Sequence, residues 1–151
     1  MKQMYFDDVE VGFTYATATK KITREAVIGF AQEWDPQPFH LDDEAAAKTH
    51  FGRIAASGWH TLLIAFNLGL ETGVWRESSL GAAGMDEVRW LTPVYPDDVI
   101  YAQSEVVWTE RSKTRPDRGR VRINTQVLRE SDGDDEVVAR FVSRILLRCR
   151  P

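Results

Sequence analysis

From Gly58 to about Thr72 the chain is apolar on nearly every side. Trp59, Leu62, Leu63, Ile64, Ala65, Phe66, Leu68 and Leu70 leave no broad polar face, and Gly73 ends the run. A helix of this kind is expected to be surrounded, so the rest of the chain has to supply a wrapping layer. Everything after Gly84 reads as sheet. Met85–Leu91 is a strand stopped by Thr92-Pro93, and Val94-Tyr95-Pro96-Asp97-Asp98 turns into a long strand from Val99 to about Arg111. Arg118–Arg129 and Glu136–Arg148 alternate with period two, joined by a hairpin connection at Ser131-Asp132-Gly133-Asp134. In the last strand Val137, Ala139, Phe141, Ile145 and Leu147 share one face. The other carries Arg140, Arg144 and Arg148 beside Val142 and Leu146, which implies partial cover by a second subunit. The fold class is therefore α+β, a curved antiparallel sheet wrapped round a long central helix.

The N-terminal third adds smaller pieces. Phe13–Lys21, rich in Thr and aromatics, favours a short strand. Thr23 can cap a helix that buries Val27, Phe30, Ala31 and Trp34 at helical spacing until Asp35-Pro36 stops it. Asp42, Asp43 and Glu44 place negative charge at the start of a short Ala-rich helix through Lys48, matching the helix dipole. With 151 residues the chain is read as a single domain spanning 1–151. A net charge of −4, with both signs scattered, indicates neither a nucleic-acid face nor a polybasic membrane anchor. The single Cys149 leaves no intrachain disulfide framework and no cysteine metal cage; Met1–Asp8 holds no apolar run of signal-peptide length, and the most apolar stretch, around Leu62 to Leu70, is too short and interrupted to span a bilayer. A cytoplasmic protein is the expectation.

The stretch Trp34-Asp35-Pro36-Gln37-Pro38-Phe39-His40-Leu41-Asp42 sets a carboxylate and an imidazole on a proline-stiffened turn between two helical patterns. Each proline fixes its own φ and pushes the residue before it towards extended geometry. Asp35 and His40, held within reach of one water, would make an acid/base pair if burial raised the Asp pKa towards neutrality. Spacing alone equally allows Asp35 merely to end a helix and His40 to pack in the core. Ser57 is expected as the N-cap of the central helix. The free backbone N–H groups of Gly58 and Trp59 would then suit a developing oxyanion, although plain capping explains the same pattern. His40, Asp42, His50 and His60 match no compact metal-ligand spacing.

Three blocks carry a resemblance to a known family. The Trp34–Asp42 stretch resembles an Asp-x-Asn-Pro-x-His-x-Asp hydratase motif, preceded by Phe30-Ala31. Phe51-Gly52-Arg53-Ile54-Ala55-Ala56-Ser57-Gly58-Trp59 is similar to the same family's small-residue approach to its central helix. Asp86 through Asp98 is like its strand ending in a Pro-Val turn. The family is that of the MaoC-like dehydratases, the (R)-specific enoyl-CoA hydratase group of the hot-dog fold. The resemblance implies that Asp35 and His40 are catalytic, that the Gly58 N–H holds the thioester oxygen, and that Gln37 and Ser57 orient the site. It further implies no metal or organic cofactor, an acyl-CoA-type thioester as substrate, and a homodimer or an assembly of dimers. Trp59, Arg89 and Arg111 are substrate-binding candidates, Arg111 because it opens a basic loop that could meet a phosphate. Trp59, Phe66, Trp75 and Trp90 could wall an acyl tunnel or be ordinary core. Three departures stand out: Gln37 in place of Asn, Ser57 where many members have His, and Asp97 where the turn commonly has Gly. An acyl-CoA thioesterase and a non-catalytic acyl-binding subunit are the alternative functions on this fold.

Overall fold

The computed structural model describes residues 1–151. Its strands are β1 (Thr14–Ala16), β2 (Lys20–Lys21), β3 (Ser79–Trp90), β4 (Val99–Arg111), β5 (Arg118–Arg129) and β6 (Glu136–Arg148). All pair antiparallel in the order β1-β4-β5-β6-β3, with β2 also on β4. The helices are α1 (Arg24–Trp34), α2 (Asp43–Ala47) and α3 (Gly58–Glu71), and 3-10 turns lie at Phe6–Asp8 and Pro38–His40.

The three long strands β4, β5 and β6 have the bounds that period-two alternation predicts. At β6 a register shift opposite Val127 and Leu128 inserts Val138 as an extra residue, so Val138 and Ala139 are both buried. The expected strand at Phe13–Lys21 is split into β1 and β2. Between them Thr17 turns its hydroxyl onto the Ala102 N–H, and that side chain does the work of a ladder carbonyl. β3 begins at Ser79, six residues before the expected Met85, because Leu80-Gly81-Ala82-Ala83-Gly84 has little intrinsic strand character and is held by pairing to β6 instead. Asp97 has φ of +76°, the left-handed region that glycine enters without cost, which is the physical reason a glycine suits this turn. The Asp97 N–H donates to the Ile22 carbonyl and so keeps the turn closed.

The sheet curls over α3. Leu62, Ala65 and Leu68 pack with Ile100, Ala102, Val127, Ala139 and Phe141 in the main core. Burying one such aliphatic side chain fully is worth roughly 1.5–3 kcal/mol. The wrapping is not complete. Trp59, Leu63, Phe66 and Leu70 are 58%, 52%, 57% and 56% exposed, so one face of a helix expected to be enclosed stands open. β3 is the free edge of the sheet. No helix is long and apolar enough to cross a membrane.

A second, smaller core closes the far end of the sheet, where Phe6 packs with Val106, Val121, Ile123 and Leu147. A Cβ on Gly119 would lie 2.2 Å from the Phe6 ring, so glycine is required there by contact. Gly119→Ala is expected to displace Phe6 and lower the unfolding free energy by about 1–3 kcal/mol, measured by urea denaturation. Phe6→Leu in the Gly119→Ala background should recover part of that loss.

Candidate active site

α1 starts where Thr23 Oγ1 accepts the Ala26 N–H and buries Val27 and Ala31. Its last bond, from the Asp35 N–H to Ala31 O, delivers the Asp35 carboxylate at the helix end. Pro36 forbids continuation, and the Gln37 N–H folds back onto the Asp35 carbonyl at 2.7 Å. The 3-10 turn Pro38–His40 then carries His40 inward, and Asp42 caps α2 by accepting the Ala45 N–H at 2.7 Å.

His40 is buried. Its Nδ1 lies 2.6 Å from the Ala55 carbonyl, which commits that nitrogen as an N–H donor. Nε2 is therefore the ring atom that can gain or lose a proton, and it sits 3.3 Å from Asp35 Oδ2. The other carboxylate oxygen, Oδ1, accepts the Gln37 side-chain N–H at 2.7 Å. With Nδ1 fixed, a neutral Nε2 and an ionised carboxylate would both be acceptors, so the pair is stable when it shares one proton.

Burial pushes the Asp35 carboxyl up, but the Ser57 hydroxyl, the Gln37 amide and the His40 ring outweigh it, and the net result lies below the ordinary carboxylate value. This corrects the expectation of an Asp raised towards neutrality: the donors around it favour the charged form more than desolvation disfavours it. Ser57 is fully buried and precedes α3 without capping it. Its buried hydroxyl has no hydrogen-bond partner within the protein, and its nearness to Asp35 favours the charged carboxylate. The helix N-terminus is consequently open: the backbone N–H groups of Gly58 and Trp59 have no acceptor within the protein.

Ala56 donates its N–H to the Val94 carbonyl at 2.8 Å, and Tyr95 donates its hydroxyl to Phe51 O at 3.0 Å. These bonds hold the approach to α3 beside the proline turn. Asp35, Gln37, His40, Gly58 and Trp59 line one pocket of about 510 Å³, together with Phe39, His50, Thr61, Trp90, Thr92 and Val138. Trp90 lies over Gly58 so closely that a Cβ there would stand 2.4 Å from its indole nitrogen, and it meets Trp59 edge to face. Sequence reasoning had no signal for Ala55, whose contribution is a carbonyl, nor for Trp90 as the reason for Gly58. Two expected substrate contacts lie elsewhere. Arg111 ends β4, far from the pocket, where it pairs with Asp7 at 2.5 Å and donates to Pro116 O. Arg89 is exposed, outside the pocket lining, and donates to the Val88 carbonyl. The histidines weighed as metal ligands are also separated. His60 stacks on Phe30 with centroids 4.6 Å apart, burial pushing its pKa down, and no three His, Cys, Asp or Glu side chains converge.

Gln37→Ala is expected to raise the Asp35 pKa, because it removes a donor to the charged form. Carboxyl-selective NMR titration of Asp35 checks this. The sign carries to stability: Asp35 stabilises the fold fully above its unfolded pKa of about 3.9 and progressively less as pH falls through the folded value, and the variant should flatten that slope.

The model of the MaoC like domain matches residues 9–128. A 3-hydroxybutyryl-CoA dehydratase of Methylorubrum extorquens is 32% identical over 126 residues, covering 82% of this chain and 73% of its own. An uncharacterised protein of Bacillus subtilis, YdeM, is 36% identical over 104 residues, covering 69% and 74%. The crystal structure of a MaoC-like dehydratase from Rhodospirillum rubrum superposes with a TM-score of 0.89 at 35% identity, over 98% of this chain and 99% of that one. A Mycobacterium tuberculosis protein described as a double hot-dog fold matches at TM-score 0.77 and 17% identity, over 99% of this chain and 45% of its own, and bears on the fold alone. The sheet curled round α3 is the hot-dog fold, and the chain belongs to the MaoC-like dehydratase family.

Proposed function

We propose that the protein is a hydro-lyase that adds water reversibly to a trans-2-enoyl thioester, giving the 3-hydroxyacyl thioester, of (R) configuration. One observation carries this reading: Asp35 and His40, 3.3 Å apart, share a pocket with the two unpartnered amides at the start of α3. The name of the Methylorubrum relative, a 3-hydroxybutyryl-CoA dehydratase, supports it.

In the hydration direction a water sits between Asp35 and His40 Nε2. Asp35, held ionised by its donors, takes a proton from the water as its oxygen bonds to the β-carbon. His40 gives the Nε2 proton to the α-carbon. The pair ends with as many protons as it began, and the Asp35 proton passes back to Nε2 across their contact. Electron density moves onto the thioester oxygen, which the Gly58 N–H and the positive end of α3 stabilise. A donor of this kind is worth on the order of 2.7–4 kcal/mol of barrier. Ser57 and Gln37 fix the carboxylate for this exchange. Trp59 and Trp90 wall the acyl group near the reacting carbons.

We also propose that two copies pair across the free edge β3 and the open face of α3. An exposed edge strand is otherwise a template for misassembly, and a face carrying Trp59, Leu63, Phe66 and Leu70 with Met85, Trp90 and Leu91 nearby in the fold favours cover by another chain.

The reaction is tested by loss of enoyl-thioester absorbance with crotonyl-CoA. Asp35→Asn and His40→Ala should each cost roughly 10²–10⁴ in rate while the proteins stay folded. Release of free CoA without hydration would point to a thioesterase instead. The pairing is tested by sedimentation: wild type is expected as a dimer at micromolar concentration, and Leu63→Glu should shift it to monomer. A wild-type monomer at that concentration would refute the pairing.

A further inference from the structure

Beneath the C-terminal half of α3 lies a second cavity, of about 360 Å³, that the acid/base chemistry does not use. Ala65, Phe66, Leu70, Trp75, Phe141 and Ile145 give it apolar walls. Its floor is different. Ser104, Thr125 and Ser143 face it from β4, β5 and β6, with Ser104 directly opposite Thr125 in the ladder.

Ser104 and Thr125 are only 7% and 6% exposed, and they spend one hydrogen bond on each other, at 2.9 Å. Two hydroxyls sharing one bond leave one O–H proton unspent. The Ser143 hydroxyl makes no hydrogen bond within the protein. Tyr15, also in the lining, accepts the Trp75 indole N–H at 3.1 Å, so its own proton is free. Arg76 lines the same cavity and forms no ion pair. Arg76 is exposed and Tyr15 and Ser143 are half-buried, so these donors are within reach of water. An alkyl group that displaces this water offers no acceptor in its place. A carboxylate offers two acceptor oxygens to the hydroxyls and a partner to the guanidinium.

The cavity is joined to the acid/base pocket by one helix face. Trp59 lines the pocket, Phe66 and Leu70 line the cavity, and Leu63 lies between them on the same exposed stripe. Seven residues of helix separate Trp59 from Phe66, about 10 Å. Resting on the enoyl-thioester reading above, we propose that this second cavity receives the far end of the acyl group and that this end is a carboxylate. The substrate class is then the mono-thioester of a medium-chain dicarboxylic acid, its chain running along the α3 stripe.

Isothermal titration with two unreactive saturated thioesters tests the idea: octanoyl-CoA and its ω-carboxy counterpart, suberyl-CoA. Wild type is expected to bind suberyl-CoA at least about tenfold more tightly. That ratio should fall towards one in Arg76→Gln and in Ser143→Ala, with circular dichroism confirming that both variants are folded. Equal or tighter binding of octanoyl-CoA, or a preference that survives in both variants, overturns the proposal. Crotonyl-CoA hydration measured in parallel separates the two claims. Turnover of crotonyl-CoA without the preference rejects the carboxylate tail alone. Absence of both turnover and thioester binding rejects the reaction and the tail together.

Discussion

The hydrogen bond from His40 Nδ1 to the Ala55 carbonyl is the contact on which the site depends. It joins two segments that sequence keeps apart, the proline turn that carries Asp35 and His40 and the extended approach that delivers Ser57 and Gly58. Ile54, Ala55, Ala56 and Ser57 are all buried, so the Ala55 carbonyl has no water to turn to if the imidazole leaves. An acceptor stranded in this way costs about 1–3 kcal/mol, which makes the contact self-enforcing. The same bond chooses the tautomer. It takes Nδ1 out of the chemistry and points Nε2 at Asp35.

That choice settles the proton accounting around Asp35. A carboxylate only 16% exposed at its side chain would ordinarily be pushed towards the neutral acid. Here the Gln37 amide donates to it, the His40 ring lies 3.3 Å away and the nearby Ser57 hydroxyl also favours the charge, so the ionised form prevails. Ser57 matters most for a structural reason: as the residue before α3 it could have capped the helix, and it does not. Because Ser57 does not cap α3, the Gly58 and Trp59 amides stay open beside Asp35 and His40.

The sequence made β4, β5 and β6 legible, because burial of one face imposes a period of two that Val, Ile and Arg report directly, whereas the glycine- and alanine-rich start of β3 carries no such period. It also singled out Asp35, His40, Gly58 and Gln37, which line one pocket, and Ser57, which is fully buried behind it. What it could not report were contacts whose carriers have no side-chain signature. Ala55 acts through a carbonyl, and Thr17 looks like any strand threonine until its hydroxyl replaces a backbone acceptor. Arg111 misled because a basic loop reads alike whether its charges wait for a phosphate or, as here, tie the N-terminal segment to the sheet through Asp7. The direction of the Asp35 shift was misread because desolvation can be guessed from a hydrophobic context, whereas the groups that outvote it, Gln37 and His40 on the turn and Ser57 before α3, act through contacts that only the folded chain makes.

A helix with apolar residues on every side normally signals complete enclosure, yet the sheet covers only the side bearing Leu62, Ala65 and Leu68. The curl of six strands round one helix does not close, since the sheet ends at β3 on one side and at the short β1 and β2 on the other. The remaining apolar face is the one on which the proposed pairing rests, and its position in the fold matters. It begins at Trp59, in the wall of the acid/base pocket, and ends at Phe66 and Leu70, in the wall of the hydroxyl-floored cavity. A surface that connects two cavities along one helix is suited to be a subunit boundary and a channel at once. In the proposed dimer, an apolar chain laid against it would lose water on one side to the helix and on the other to the second copy.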